Sequence, residues 1–183
     1  MTPTEMRTHM CGELNAGHVG RKVSVCGWVG RRREHGEHLA FVDLRDHTGL
    51  VQCVVDNATD VRSEYVVRVT GTVRARPEGT VNPALPTGEV EIGDCVVEVL
   101  NSAEPPPFPV DARADDVDEA VRLRYRYIDI RRERMQRNLR VRARVNSAIR
   151  AEMERNGFLE VETPFLMPST PEGAREFLRS EEH

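Results

Sequence analysis

The sequence predicts a small closed β barrel of five strands, then a linker, then the opening of an α+β domain. Three observations carry this. Short apolar runs alternate with polar residues up to about position 100, and a proline cluster interrupts the chain after them. A long amphipathic helix pattern follows, stopped by Gly and succeeded by a strand-like run ending in Pro.

The strands are expected over Lys22–Gly30, Leu39–Leu44, Val51–Val55, Tyr65–Val73 and Glu89–Leu100. Each is bounded by Gly, Asp, Asn or Pro, the residues that punctuate strands. With no long helix among them they suggest a small barrel. Gly27 and Gly71, inside strands, are expected to mark bulges or corners where the barrel bends. Residues 1–102 are assigned to this domain.

Residues 103–133 read as a linker or hinge. Pro105, Pro106, Pro107 and Pro109 remove backbone donors and fix φ, and an acidic stretch over Asp111–Glu119 follows. Residues 134–183 open the last region. From Arg134 to Asn156, Val141, Val145, Ile149 and Met153 recur every four positions, with Asn156-Gly157 as the stop. Phe158–Thr163 is expected to be a short strand, which Pro164 ends.

Hydrophobic residues make up 39% and charged residues 31%, the balance of a soluble globular protein. No apolar run approaches the roughly 20 residues of a membrane span. Met1–Cys11 lacks the apolar core of a signal peptide, so a cytoplasmic protein with no membrane partner is expected. Cys11, Cys26, Cys53 and Cys95 are widely spaced, with no C-x-x-C pair, and are expected to be buried or half-buried free thiols, not a metal site. The net charge of -4 hides two basic zones, Arg21–Arg76 and Val121–Phe158, which suit a polyanion partner. A solvated helix face is the simpler account of the second.

Trp28-Val29-Gly30-Arg31-Arg32-Arg33 sets three cations at an expected strand end, the next strand carries Phe41 and Arg45, and the one after carries Gln52. Guanidinium groups neutralise phosphate, an aromatic ring stacks on a splayed base, and amides or carboxylates read base edges, which is what single-stranded RNA requires. The alternative is that Phe41 is barrel core and the arginines are a solvated turn.

These runs, with Phe41-Val42-Asp43-Leu44-Arg45-Asp46, Gly49-Leu50-Val51-Gln52 and Val69–Arg76, closely resemble the anticodon-binding domain of bacterial aspartyl-tRNA synthetases. Thr87–Glu91, Leu123–Arg132, Val161–Pro164 and Thr170–Arg175 extend the resemblance over nearly the whole chain. It implies an OB-fold, five-stranded, followed by the linker and a partial class II catalytic domain containing the first motif only. It further implies that Phe41 stacks in the anticodon, Arg33 and Gln52 read its central uridine, and Glu91 reads the first, G-type base. Arg31, Arg74, Arg76 and Asn82 would support phosphates or neighbouring bases, a salt bridge within the barrel being the alternative for each. Asp43 and Asp46 read as structural, orienting arginines or turns. His35 and Gly79 resemble relaxed family members that also aspartylate asparagine tRNA; discriminating ones tend to carry Leu and Lys there.

The unit Arg134–Pro164 resembles the first signature motif of the class, which forms its homodimer interface. Ser169–Arg175 resembles the loop closing over the amino acid, where Glu172 would hold the substrate's ammonium group. No catalytic set is complete in this chain. The family uses ATP and Mg2+, neither expected to bind this chain strongly, and its partners are aspartate tRNA and, in relaxed members, asparagine tRNA. Arg179–His183 departs from the family, so the chain is expected to end inside the amino-acid loop and not to form aspartyl-adenylate alone. Asp56–Glu64 also departs, leaving barely two turns where the family usually has a helix between the third and fourth strands. Near His35–Leu39 there is about one extra residue. The barrel is expected to fold independently, with the tail partly disordered or oligomeric. The alternative function is a stand-alone single-stranded nucleic-acid-binding module without catalysis.

Overall fold

The computed structural model describes residues 6–56, 60–111 and 116–164. Contacts divide the chain into two compact units, residues 1–133 and 134–183, each taken here by itself.

Unit 1 is a closed barrel of β1 (Lys22–His35), β2 (Leu39–Arg45), β3 (Leu50–Asp56), β4 (Val66–Ala75) and β5 (Val90–Asn101). The order around the ring is β1-β2-β3-β5-β4, with β4 returning to pair with β1. All pairs are antiparallel except β3 with β5, which meet in parallel at Cys53 and Ile92. The alternation seen in the sequence sets the two faces. In β2, Ala40, Val42 and Leu44 are buried while Phe41, Asp43 and Arg45 are half-buried on the outside. The interior is largely valine, whose branched Cβ packs well on a pleated surface. Cys11 and Leu14, in and beside a single-turn helix over Cys11–Glu13, complete the same core.

The glycines act at close approaches. A Cβ on Gly27 would lie 2.4 Å from the Arg45 carbonyl oxygen, and one on Gly71 would lie 2.4 Å from that of Gly93. Gly71 also falls where the β4–β5 register shifts between Thr70 and Thr72, as expected of a bulge. Cys11 and Cys53 are buried and Cys26 and Cys95 half-buried, all as free thiols.

Two expectations are corrected. The first strand does not end before the arginine triplet. Its pairing with β2 shifts register between Val29 and Arg32 and then resumes from Arg32 to His35, so Arg31–Arg33 lie inside β1. A bulge lets a strand continue through residues whose polarity breaks the apolar alternation. Phe158–Thr163 is not a strand: residues 158–164, Pro164 included, have no regular structure. A strand needs a neighbour to take its backbone bonds, and the described part of unit 2 holds none.

The stretch after the barrel is more ordered than a linker. It contains α1 (Glu119–Arg124) and α2 (Arg126–Asp129), and Phe108 and Ile128 are buried together with Val110, Val117 and Tyr125 around them. Its last residues are tied to the barrel through Glu64, which is 7% exposed. Arg45 donates from Nη2 to both Glu64 oxygens at 2.7 and 2.8 Å, and Arg131 donates to Oε2 at 2.7 Å while lying 5.7 Å from the Trp28 ring centre. Glu64 has φ +68°, a left-handed backbone that non-glycine residues adopt only when their surroundings enforce it.

In unit 2, α3 (Glu133–Arg155) is stopped as the sequence predicts. Gly157 has φ +80°, its N–H donates to Glu154 O at 2.9 Å, and the Phe158 N–H donates to Met153 O at 3.0 Å, a full Schellman closure. No residue of α3 is buried.

Candidate nucleic-acid interface

On the outer face of the barrel, one chain of polar side chains crosses all five strands. Asp43 on β2 accepts from Arg33 Nη2 on β1 at 2.7 Å. The same nitrogen donates to Gln52 Oε1 on β3 at 3.3 Å. Gln52 Nε2 donates to Glu91 Oε2 on β5 at 2.9 Å, and Arg74 Nε on β4 donates to Glu91 Oε1 at 2.8 Å. Strand register produces this. Arg33 stands opposite Phe41, Asp43 opposite Gln52, and Arg74 opposite Glu91. The parallel pairing of Cys53 with Ile92 brings their preceding neighbours, Gln52 and Glu91, side by side.

Phe41 sits beside this chain, half-buried on the outside, so it is not barrel core. Its ring centre is 5.4 Å from that of exposed His35, tilted by 58°. An aromatic face next to amide, carboxylate and guanidinium groups can stack on a planar base and hydrogen-bond its edge.

The remaining expected residues are placed as follows. Arg31 is exposed. Arg76 is 9% exposed and donates from Nε to Val90 O at 3.0 Å, while its Nη2 has no hydrogen-bond partner among the described residues. Asn82 shapes the β4–β5 connection, where its Oδ1 accepts from the Ala84 N–H at 3.1 Å, and among the described residues no hydrogen bond ties it to the polar chain. Gly79 is in the same connection with φ +82° and open space around it. Glu172 lies outside the described residues. Among the described residues no group of three or more His, Cys, Asp or Glu could hold a metal ion, and no helix is long and apolar enough to cross a membrane.

Electrostatics separate the two aspartates. Burial pushes the Asp43 carboxyl above its usual range, against the pull of Arg33, Arg76 and Arg31. Burial also acts to raise Asp46. There the Thr48 hydroxyl and the backbone N–H groups of Cys11, Thr48 and Gly49 outweigh it and hold the carboxyl below its usual value. Asp46 thus fixes the β2–β3 turn, and Asp43 orients an arginine.

One contributor was missed in the sequence. A Cβ on Gly93 would lie 2.8 Å from three guanidinium atoms of Arg74, so any side chain there would make that arginine shift from its present place beside Glu91. A glycine inside an expected strand was the available signal.

Residues 23–96 match a model of the OB-fold nucleic acid binding domain, and residues 118–183 match that of the tRNA synthetases class II (D, K and N). The second part of the chain is thus similar to the class II tRNA synthetases of the D, K and N group, and the first part to OB-fold nucleic acid binding domains. The chain is 56% identical over 180 residues to the aspartate–tRNA(Asp/Asn) ligase of Moorella thermoacetica, and 54% identical over 181 residues to that of Heliobacterium modesticaldum. Each alignment covers 94% of this chain and 30% of the relative, so the chain spans under a third of their length. The asparaginyl-tRNA synthetase from Pyrococcus horikoshii superposes with a TM-score of 0.71 over 87% of this chain and 38% of that one, at 26% identity. The aspartyl tRNA synthetase from Entamoeba histolytica gives 0.74 over 87% and 40%, at 19% identity, a likeness of fold. Class II tRNA synthetases use ATP and Mg2+ in general; among the described residues of this chain no group of three or more His, Cys, Asp or Glu could hold the ion.

Proposed function

We propose that this chain is the anticodon-holding part of an aspartate–tRNA ligase, its outer barrel face taking the anticodon of aspartate tRNA. The observation that carries the reading is the five-strand polar chain with Phe41 beside it. Phe41 stacks on a splayed base, worth roughly 1–3 kcal/mol. Arg33 and Gln52 offer donors and an acceptor to the central uridine. Glu91, acceptor-only, suits the N1 and N2 donors of guanine at the first position. In the free protein both Glu91 oxygens are already engaged, by Gln52 and Arg74, so RNA must exchange those bonds for its own. Arg31 is the donor for phosphate and Arg74 for a neighbouring base; Arg76, whose unpartnered Nη2 is buried, would turn outward to join them, with Asn82 shaping the connection beside them.

His35 and Gly79 favour a relaxed enzyme that also serves asparagine tRNA, as the names of the two curated relatives say of those proteins. ATP and Mg2+ act in the complete enzyme, and no step of that reaction is assigned to the described residues. In the complete enzyme, Glu172 as a holder of the aspartate ammonium group, and a homodimer through α3 and the Pro164 segment, complete the proposal.

Binding of an aspartate-type anticodon hairpin and of the same hairpin with its first two anticodon bases changed tests it. The expected result is preference for the first, with affinity falling about 5- to 150-fold in Phe41→Ala, the loss equivalent to one stacked base. Equal binding of both hairpins by the unmodified chain overturns the reading.

A further inference from the structure

We infer that Asp43 is a specificity-determining residue of this face: by neutralising Arg33 it makes that guanidinium a reader of base carbonyls and withholds it from phosphate. The inference rests on the RNA-binding reading above and extends it to what the face rejects.

A guanidinium on an exposed surface is by default a phosphate ligand, because its fork of donors matches two phosphate oxygens and its charge is attracted to any polyanion. Arg33 is exposed enough for that role, its side chain being 40% accessible. Yet its Nη2 is held at 2.7 Å by a carboxylate that is itself only 15% accessible. Asp43 has no other side-chain hydrogen bond among the described residues and sits on β2 opposite Gln52. The arrangement does two things. It holds the guanidinium toward Gln52, 3.3 Å away, and leaves its remaining donors for a neutral acceptor. It also cancels the charge that would draw any phosphate to the spot. At the other end of the polar chain Arg74 and Glu91 cancel in the same way. The two ion pairs therefore add directed hydrogen bonds without net positive charge, and general attraction to RNA falls to residues such as Arg31.

Asp43 acts on more than its partner. Arg76 and Arg31 also lie within its electrostatic reach, so removing its charge makes the potential around them more positive, while Arg33 is the one cation it releases. A carboxylate on a face meant for a polyanion weakens binding of every sequence, and it weakens sequences without the right base most, because they gain nothing in return.

The test uses the full chain and the two hairpins above, titrated at several salt concentrations. Asp43→Asn is expected to bind the altered hairpin about two- to fivefold more tightly, the size of one exposed charge contact. Its preference between hairpins should shrink, and its log–log salt slope should steepen by about 0.7, one added phosphate on a single strand. Asp43→Glu should restore the slope. Arg33→Gln should abolish much of the preference without steepening the slope, since it removes the reader and leaves only the carboxylate. A melting curve accompanies each variant, and Arg33→Gln keeps the inference open to refutation should Asp43→Asn not fold. Equal weakening of both hairpins by Asp43→Asn at constant slope overturns it, as does an undiminished preference in Arg33→Gln. No preference in the unmodified chain removes the base-reading proposal itself, which the variants are not needed to detect.

Discussion

In the barrel, Val25, Val29 and Val67 are fully buried, whereas in α3 Val141, Val145 and Ile149 are 52%, 51% and 57% exposed. The same aliphatic residues, spaced with equal regularity, thus meet opposite fates in the two units. A period of two in strands that close on themselves finds its partners around the ring, so the barrel core is complete within one unit. A period near four along a single helix makes a stripe that can be covered only by another element, and the described part of unit 2 has none. Periodicity tells which face will be apolar; the number of elements available decides whether that face is satisfied.

Matched truncations sharpen the contrast most. Leu44→Ala, at a position with no exposure, should lower unfolding free energy by about 2–5 kcal/mol in a denaturant titration. Ile149→Ala on α3 should change it by less than about 0.5 kcal/mol. A large loss at Ile149 would show that the helix stripe is covered after all.

Glu64→Ala follows. It leaves Arg45 and Arg131 without their shared carboxylate and should cost about 2 kcal/mol, offset slightly by the open side of both arginines. Amide exchange should accelerate over 116–132 before it does in the strands. Equal acceleration everywhere would mean that the segment is held by its own small core around Phe108 and not by this carboxylate.

The smallest effect compares two carboxylates within the barrel. Asp46 has a folded pKa below its unfolded value, near 3.9. It contributes stability above that value, which is lost as pH falls through the folded one. Asp43, raised by burial, has the opposite sign: its contribution is present below the unfolded value and is lost as pH rises through the folded one. Urea titrations from about pH 6 to pH 3 should therefore show the advantage of the parent over Asp46→Asn shrinking on acidification, and the parent gaining on Asp43→Asn. Parallel pH curves for both variants would contradict the assigned signs.

Much of the barrel was legible because its alternation is local. Ala40, Val42 and Leu44 announce both the strand and its inner face without knowledge of the rest. The continuation of β1 through Arg31–Arg33 was not, since it depends on pairing with β2 beyond a register shift. The small core around Phe108 and Ile128 was hidden for a similar reason. Four prolines dominate the local signal, while the contact that orders the segment joins Phe108 to Ile128, far apart in sequence. In the candidate site, Arg33, Phe41, Gln52 and Glu91 were singled out through motif resemblance. That Arg33, Gln52 and Glu91 form one connected chain with Asp43 and Arg74, and that Phe41 lies beside it, needed the register of all five strands. Gly93 was visible as a residue but its closeness to Arg74 was not.

That register gives the polar chain a further property. Neighbours along a strand point to opposite sides, so a slip of one residue exchanges them. If β3 slipped, Cys53 or Val51 would stand where Gln52 stands, and an apolar or thiol group would break the chain at its middle. The same slip in β5 would replace Glu91 with Val90 or Ile92. A barrel that closed in the wrong register would therefore be compact and yet unable to assemble this surface. Retention on an RNA column would then separate correctly registered molecules from misthreaded ones of the same size and secondary-structure content, making ligand capture a check on folding quality.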